Sequence, residues 1–188
     1  MAKTIIRIPY ALIILTVILV SLAAPTPQVA AQASCASYNT ALASNNGYTV
    51  GTVLSDLEAD LRAAIECANA NGTDDTIDLD GQTVTLDDAP AAYDRHGFNG
   101  LPPIAVSGNL AIKDGTIERD SNLNTCGSGS DDRTDFRLLY VNNQAGLALQ
   151  NLTLQNGCAR DGDDGANAEW GGAIFRQGHL SLNTVHLT

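Results

Sequence analysis

"LAIKDGTI", Leu110–Ile117, aligns without gaps on "LALQNLTL", Leu147–Leu154, and both align on "LSLNTVHL", Leu180–Leu187. Leu110, Leu147 and Leu180 coincide, as do Ile112, Leu149 and Leu182, and then Ile117, Leu154 and Leu187. Apolar and polar residues alternate in each block, the period of a half-buried strand whose successive side chains point to opposite faces. The connecting segments vary in length while the block does not. A shorter strand pattern precedes each block, at Ile104–Val106, Phe136–Val141 and Gly172–Phe175, and a degenerate earlier copy spans Thr76–Leu86. Short strands repeated in register, with Gly, Asn or Asp at the bends, predict an all-β parallel β-helix, a solenoid in which equivalent residues stack from coil to coil. Asp114 and Asn151 share one bend and would form a short polar ladder there. An antiparallel sandwich also has short strands and many turns, but its strands need not resemble one another.

Toward the N-terminus, "SDLEADLRAAIECANANG", Ser55–Gly72, predicts a capping helix. Ser55 and Glu58 have capping-box spacing, Leu57, Leu61, Ala64, Ile65 and Ala68 form the apolar stripe, and Gly72 supplies the stop. An amphipathic helix here suits a lid over the first coil, although a helix in an ordinary α+β core has the same pattern. Toward the C-terminus, residues 171–188 read as one more coil, with Thr188 where the next would begin. The expectation is a solenoid that is C-terminally incomplete and associates through its open coil, because solenoids normally cap such an edge.

Lys3 and Arg7 precede an apolar run from Ala11 to Val20, Pro25 and Pro27 break it, and Ala31-Gln32-Ala33 offers a small-x-small cleavage site. That is the layout of a secretory signal peptide over residues 1–33. The run is short for a membrane span, so no transmembrane segment is expected after cleavage. An N-terminal arm and the capping helix then fill residues 34–75, and the coils fill 76–188. A formal net charge of −11, more negative once Lys3 and Arg7 are removed, excludes nucleic acid as a partner because phosphates would repel the chain.

Cys35, Cys67, Cys126 and Cys158 are the four cysteines, an even number that in an exported chain implies disulfides of three conceivable connectivities. The repeat selects among them. Cys126 and Cys158 lie in equivalent loops of neighbouring coils, about 4.8 Å apart, within the reach of a bridge. Cys35–Cys67 is then left to tie the extended arm to the helix.

"LRAAIECANANGTDDTIDLDGQTVTL", followed by the three aligned blocks and by "GGAIF", resembles bacterial secreted right-handed parallel β-helix proteins of the pectin-lyase-like and polymorphic-outer-membrane-protein-like group. Their CSLREA-type leader is matched here only in its Leu-Arg-x-Ala-Ile core. The resemblance implies a secreted or cell-surface, adhesin-like protein. It leaves activity open, because such folds host adhesins and polysaccharide-active enzymes alike. Pectate lyases of this fold place acidic Ca²⁺ ligands and an Arg on one strand face, whereas the matching strands here expose Ala105, Arg137, Leu139, Ala173 and Phe175. Arg137 alone makes no catalytic constellation, so no catalytic residue is assigned in this segment.

The outward positions of the blocks are small and polar: Ala111/Ala148/Ser181, Lys113/Gln150/Asn183, Thr116/Thr153/His186 and Glu118/Gln155/Thr188. Loops 87–103, 120–135 and 156–170 share one coil position and would project from one edge, often the binding side of a solenoid. Tyr93, His96, Asp161, Asp163, Asp164, Glu169 and Trp170 in these loops combine aromatics with carboxylates, a pairing suited to sugar rings; the same loops also read as a solvated acidic edge. "DGDDGANAE", Asp161–Glu169, has oxygen ligands suited to Ca²⁺, but Gly165 stands where the EF-hand pattern needs a ligand, so no metal and no cofactor is assigned. Asn71 and Asn151 head sequons, and Asn151, at a predicted bend, reads as a turn former. The functional expectation is adhesion or binding of surface polysaccharide, or of host and cell-surface glycans, through the edge loops. Two alternatives stay open: a polysaccharide lyase or hydrolase with catalytic coils beyond residue 188, and a structural spacer.

Overall fold

The computed structural model describes residues 35–44, 46–89, 98–123, 125–126, 134–158 and 172–188, and the expected signal segment lies outside them. The first element among the described residues is helix α1, Cys35–Leu42, in the segment expected from the sequence to be an extended arm. It buries Tyr38 and Leu42. Strand β1, Tyr48–Thr49, leads to helix α2, Leu57–Asn71. The α2 N-cap is Asp56, one residue later than expected, and its carboxylate accepts from the Glu58 and Ala59 amides at 3.1 Å. Ser55 is therefore not the cap, because the acid one residue on satisfies both orphan donors. Gly72 ends the helix in the left-handed conformation, at φ 72°, which glycine adopts without steric cost. Leu61, Ala64, Ile65 and Ala68 form the buried face, as the apolar stripe predicted.

Six strands form the larger sheet, in the order β1, β2 (Asp75–Asp78), β4 (Asn109–Arg119), β6 (Gly146–Gln155) and β8 (His179–Leu187), with β3 (Thr83–Leu86) beside the second half of β4. Strands β5 (Leu139–Val141) and β7 (Ile174–Arg176) form a second, two-stranded sheet. Every pairing is parallel. The gap-free alignment of the three blocks is the register of the sheet: Leu110 pairs with Leu147 and Leu147 with Leu180, and Ile117 pairs with Leu154 and Leu154 with Leu187. Ile112, Ile117, Leu149 and Leu154 are fully buried and share one core with Tyr38, Leu61, Ile65, Ile77 and Val84. Each such side chain contributes about 1.5–3 kcal/mol by leaving water.

The all-β, right-handed β-helix expectation is overturned. The described residues form short strands in parallel sheets together with two helices, 19% helix against 40% strand, and no closed or solenoid sheet is found among them. The class is α/β. The physical cause lies in the N-terminal third. Strands β1 and β2 are parallel neighbours, which a hairpin cannot join, and α2 makes the crossover between them. The helices pack into the same core as the strands, so α2 belongs to the architecture and is no detachable lid. Period-two alternation reports a strand and its buried face; it carries no information on how the sheet is completed.

The strands turn at one column of left-handed residues: Asp114 at φ 60°, Asn151 at φ 49° and Thr184 at φ 54°. Asp and Asn tolerate this conformation because their short side chains bond locally. The polar ladder expected at the bend is present, with Asn151 Nδ2 donating to Asp114 Oδ1 at 2.9 Å. Gly115 follows Asp114, and a Cβ there would stand 2.6 Å from both the Gln82 carbonyl oxygen and Leu79 Cβ. Only glycine fits under that crossing.

Both disulfides join the cysteines paired on the sequence: Cys35 with Cys67, Cα atoms 5.3 Å apart, and Cys126 with Cys158, 5.6 Å apart. Among the described residues, no helix is long and apolar enough to cross a membrane.

Candidate functional site

Tyr93, His96, Asp161, Asp163, Asp164, Glu169 and Trp170 lie outside the described residues. The described sheet supplies a different surface. Along the second half of β4, Thr116 and Glu118 alternate with the buried Ile117 and so share the outer face. The register places Thr83 beside Thr116, Thr116 beside Thr153 and Thr153 beside His186. A second column runs Thr85, Glu118, Gln155. Thr188 extends it, since its amide donates to the Leu154 carbonyl at 3.0 Å and its carbonyl accepts from the Asn156 amide at 3.1 Å, on either side of Gln155.

Eight hydroxyl, carboxylate, amide and imidazole side chains thus form two columns across four strands. Their spacing is about 4.8 Å between strands and about 6.6 Å along each strand. Glu118 organises the second column. Its Oε1 accepts from Thr85 Oγ1 at 2.8 Å, and its Oε2 accepts from Gln155 Nε2. These bonds run across the strands and leave further acceptor capacity on the carboxylate, the hydroxyl and the amide. The outward residues of the three blocks are legible in the sequence as small and polar positions; that Thr83 and Thr85 add a fourth strand to the array is not.

Three other polar clusters stand apart from this face. Asp60 is fully buried. It accepts from Tyr38 Oη at 2.7 Å, Tyr48 Oη at 2.6 Å, the Gly51 amide at 2.6 Å and the Leu54 amide at 3.0 Å. Burial, and then the bond to Asp60, push the Tyr48 phenol up to about 12. The same two causes drive Tyr38 higher still. This knot ties α1, β1 and α2 together and is closed to ligands.

The second cluster joins Glu58, Asp87 and Asp88, which each offer an oxygen within 4.8 Å of the others. Arg62 occupies its centre, 2.5 Å from Glu58 Oε1 and 3.0 Å from Asp88 Oδ1, and its Nε donates to the Gly100 carbonyl at 3.1 Å. Burial raises the Glu58 carboxyl to about 7 against the opposing pull of Arg62, with Asp87 and Asp88 adding to the rise. Carboxylate oxygens suit a hard cation, but the Arg62 guanidinium already pairs with two of these three carboxylates. The third cluster, Cys126, Asp135 and Cys158, has both sulfurs in a disulfide, and an oxidised sulfur offers no thiolate to a metal.

Arg137, Leu139 and Phe175 were expected on an exposed strand face. All three are buried, Arg137 completely, with its guanidinium carbon 5.0 Å from the centroid of the Phe175 ring. For Leu139 the cause is the two-stranded sheet, where β5 is buried throughout; Arg137 precedes that strand and packs its guanidinium on the Phe175 ring of β7. The chain matches no family model, no curated protein and no solved structure.

Proposed function

We propose that this is an exported surface-contact protein that binds surface polysaccharide, and that the two-column polar face on β3, β4, β6 and β8 is its binding surface. The observation that carries the reading is Glu118, cross-braced from both neighbouring strands by Thr85 and Gln155. Bracing removes rotamer freedom before a ligand arrives, so binding costs less ordering. Sugar hydroxyls both donate and accept, and a flat array of hydroxyl, amide and carboxylate groups answers them along an extended chain. Two disulfides agree with life in an oxidising compartment, and the apolar N-terminal run with its small-x-small site supports export.

The test is retention of the purified chain on a panel of immobilised neutral and charged polysaccharides. Retention on at least one glycan, weakened by Thr116→Ala with Thr153→Ala and again by Glu118→Ala, is the expected result. Trp170→Ala, measured in parallel, separates the sheet face from the acidic loops: a loss confined to that variant would move the binding surface to the loops. No retention on any glycan would sink the reading.

A further inference from the structure

We propose, resting on the glycan-binding reading above, that the groove at the start of β6 and β8 selects anionic glycans by taking an acidic oxygen group between Arg176 and His179. The groove encloses about 530 Å3 and is lined by Asn109, Ala148, Arg176, His179, Ser181 and Leu182 among others, with no carboxylate in its wall. That composition is unusual for this chain, which carries 21 acidic residues against 10 Lys and Arg.

Three other cations among the described residues are each paired with carboxylates. Arg62 meets Glu58 and Asp88, Lys113 meets Asp78 and Asp114, and Arg119 meets Asp135. Arg176 is exposed, and its Nη1 donates to the Gly178 carbonyl at 3.2 Å, a neutral partner. Its remaining N–H donors meet no carboxylate among the described residues. His179 and Ser181, both exposed on β8, add a ring nitrogen and a hydroxyl to the same groove. A guanidinium fork with flanking donors is the donor set for carboxylate, sulfate ester or phosphate. The acidic balance of the chain disfavours a polyanion in general, so among the described residues this carboxylate-free groove is where an anionic chain meets donors. Leu182, 48% exposed, gives the groove an apolar wall against which a sugar ring can rest.

The anion could belong to a polyuronate or to a sulfated glycan, and the experiment separates them. Affinity electrophoresis of the full chain through gels containing neutral dextran, dextran sulfate or a polyuronate reads the three classes side by side at low ionic strength. We expect at least one anionic polymer to retard the chain about tenfold more strongly than dextran, the scale of one charge-assisted hydrogen bond. Arg176→Ala should remove that preference, Arg176→Lys should keep part of it, and His179→Ala should weaken it. Arg176 is exposed and makes one backbone bond, so folding is not at stake, and unchanged ultraviolet circular dichroism checks this. Retardation by neutral and anionic polymers alike, insensitive to Arg176→Ala, would overturn this inference and leave the polar-face reading standing. No retardation by any polymer would overturn both.

Discussion

Asn151 Nδ2 donates to Asp114 Oδ1 at 2.9 Å, and both residues hold left-handed backbone, at φ 49° and 60°. The bond also holds the Asp114 carboxyl below its ordinary range, with Lys113 adding to the effect. One strand further on, the same column holds Thr184 at φ 54°, and a β-branched residue is poorly suited to that conformation. Thr184→Asn is expected to raise stability by about 1 kcal/mol, and Asn151→Ala to lower it. Urea denaturation of the two variants beside the parent decides the matter; a destabilised Thr184→Asn would contradict this account of the bend.

Asp60 receives four donors in a fully buried setting. Asp60→Asn replaces an acceptor oxygen by an NH2 group aimed at donors, so at least one buried donor is orphaned. The expected loss is about 2–4 kcal/mol. Tyr48→Phe removes one of the four donors and the acceptor of the Val53 amide, leaves the carboxylate with three partners, and should cost less, about 1–2 kcal/mol. Equal losses in the two variants, measured by thermal unfolding, would show that the carboxylate is not the centre of the knot.

Glu58 has a folded pKa of about 7, above the ordinary carboxylate value. A raised carboxyl binds more protons in the folded state than in the unfolded one, so its contribution to stability is present below about 4.5 and is lost as pH rises through about 7. Glu58→Gln should flatten that slope, with little effect near pH 4.5 and a gain on the order of 1–2 kcal/mol at pH 8. Denaturant midpoints across this range provide the check, and an unchanged slope in the variant would count against the assignment.

Of the two bridges, Cys126–Cys158 has an exposed sulfur-bearing residue, whereas Cys67 is 2% exposed and Cys35 half-buried. Thiol attack needs access to a sulfur. Brief treatment with a mild dithiol, followed by alkylation and peptide mapping, should label Cys126 and Cys158 before Cys35 and Cys67. Replacing either bridge by a serine pair is expected to cost about 3–4 kcal/mol from loop-closure entropy. Earlier labelling of Cys35 and Cys67 would reverse the order assigned here.

The aligned blocks show how much of this protein its sequence determined. The pairs Leu110–Leu147–Leu180 and Thr116–Thr153–His186, the bend at Asp114 and Asn151, the buried face of α2 and both disulfides were all legible. Each follows from local rules: alternation assigns faces, equal block lengths set the register, and turn residues mark the bends. The outer columns of the polar face were legible too, as residue types. Only the tertiary structure decided that β1, α2 and β2 form a parallel crossover, that α1 replaces an extended arm, and that Arg137 is buried. Those outcomes depend on contacts between segments far apart in the chain, and a period of two residues says nothing about what lies across the core. The bracing of Glu118 by Thr85 and Gln155, and the meeting of Arg176 with His179 in one groove, are of the same kind: the side chains are written in the sequence, and their proximity is supplied by the packing of strands.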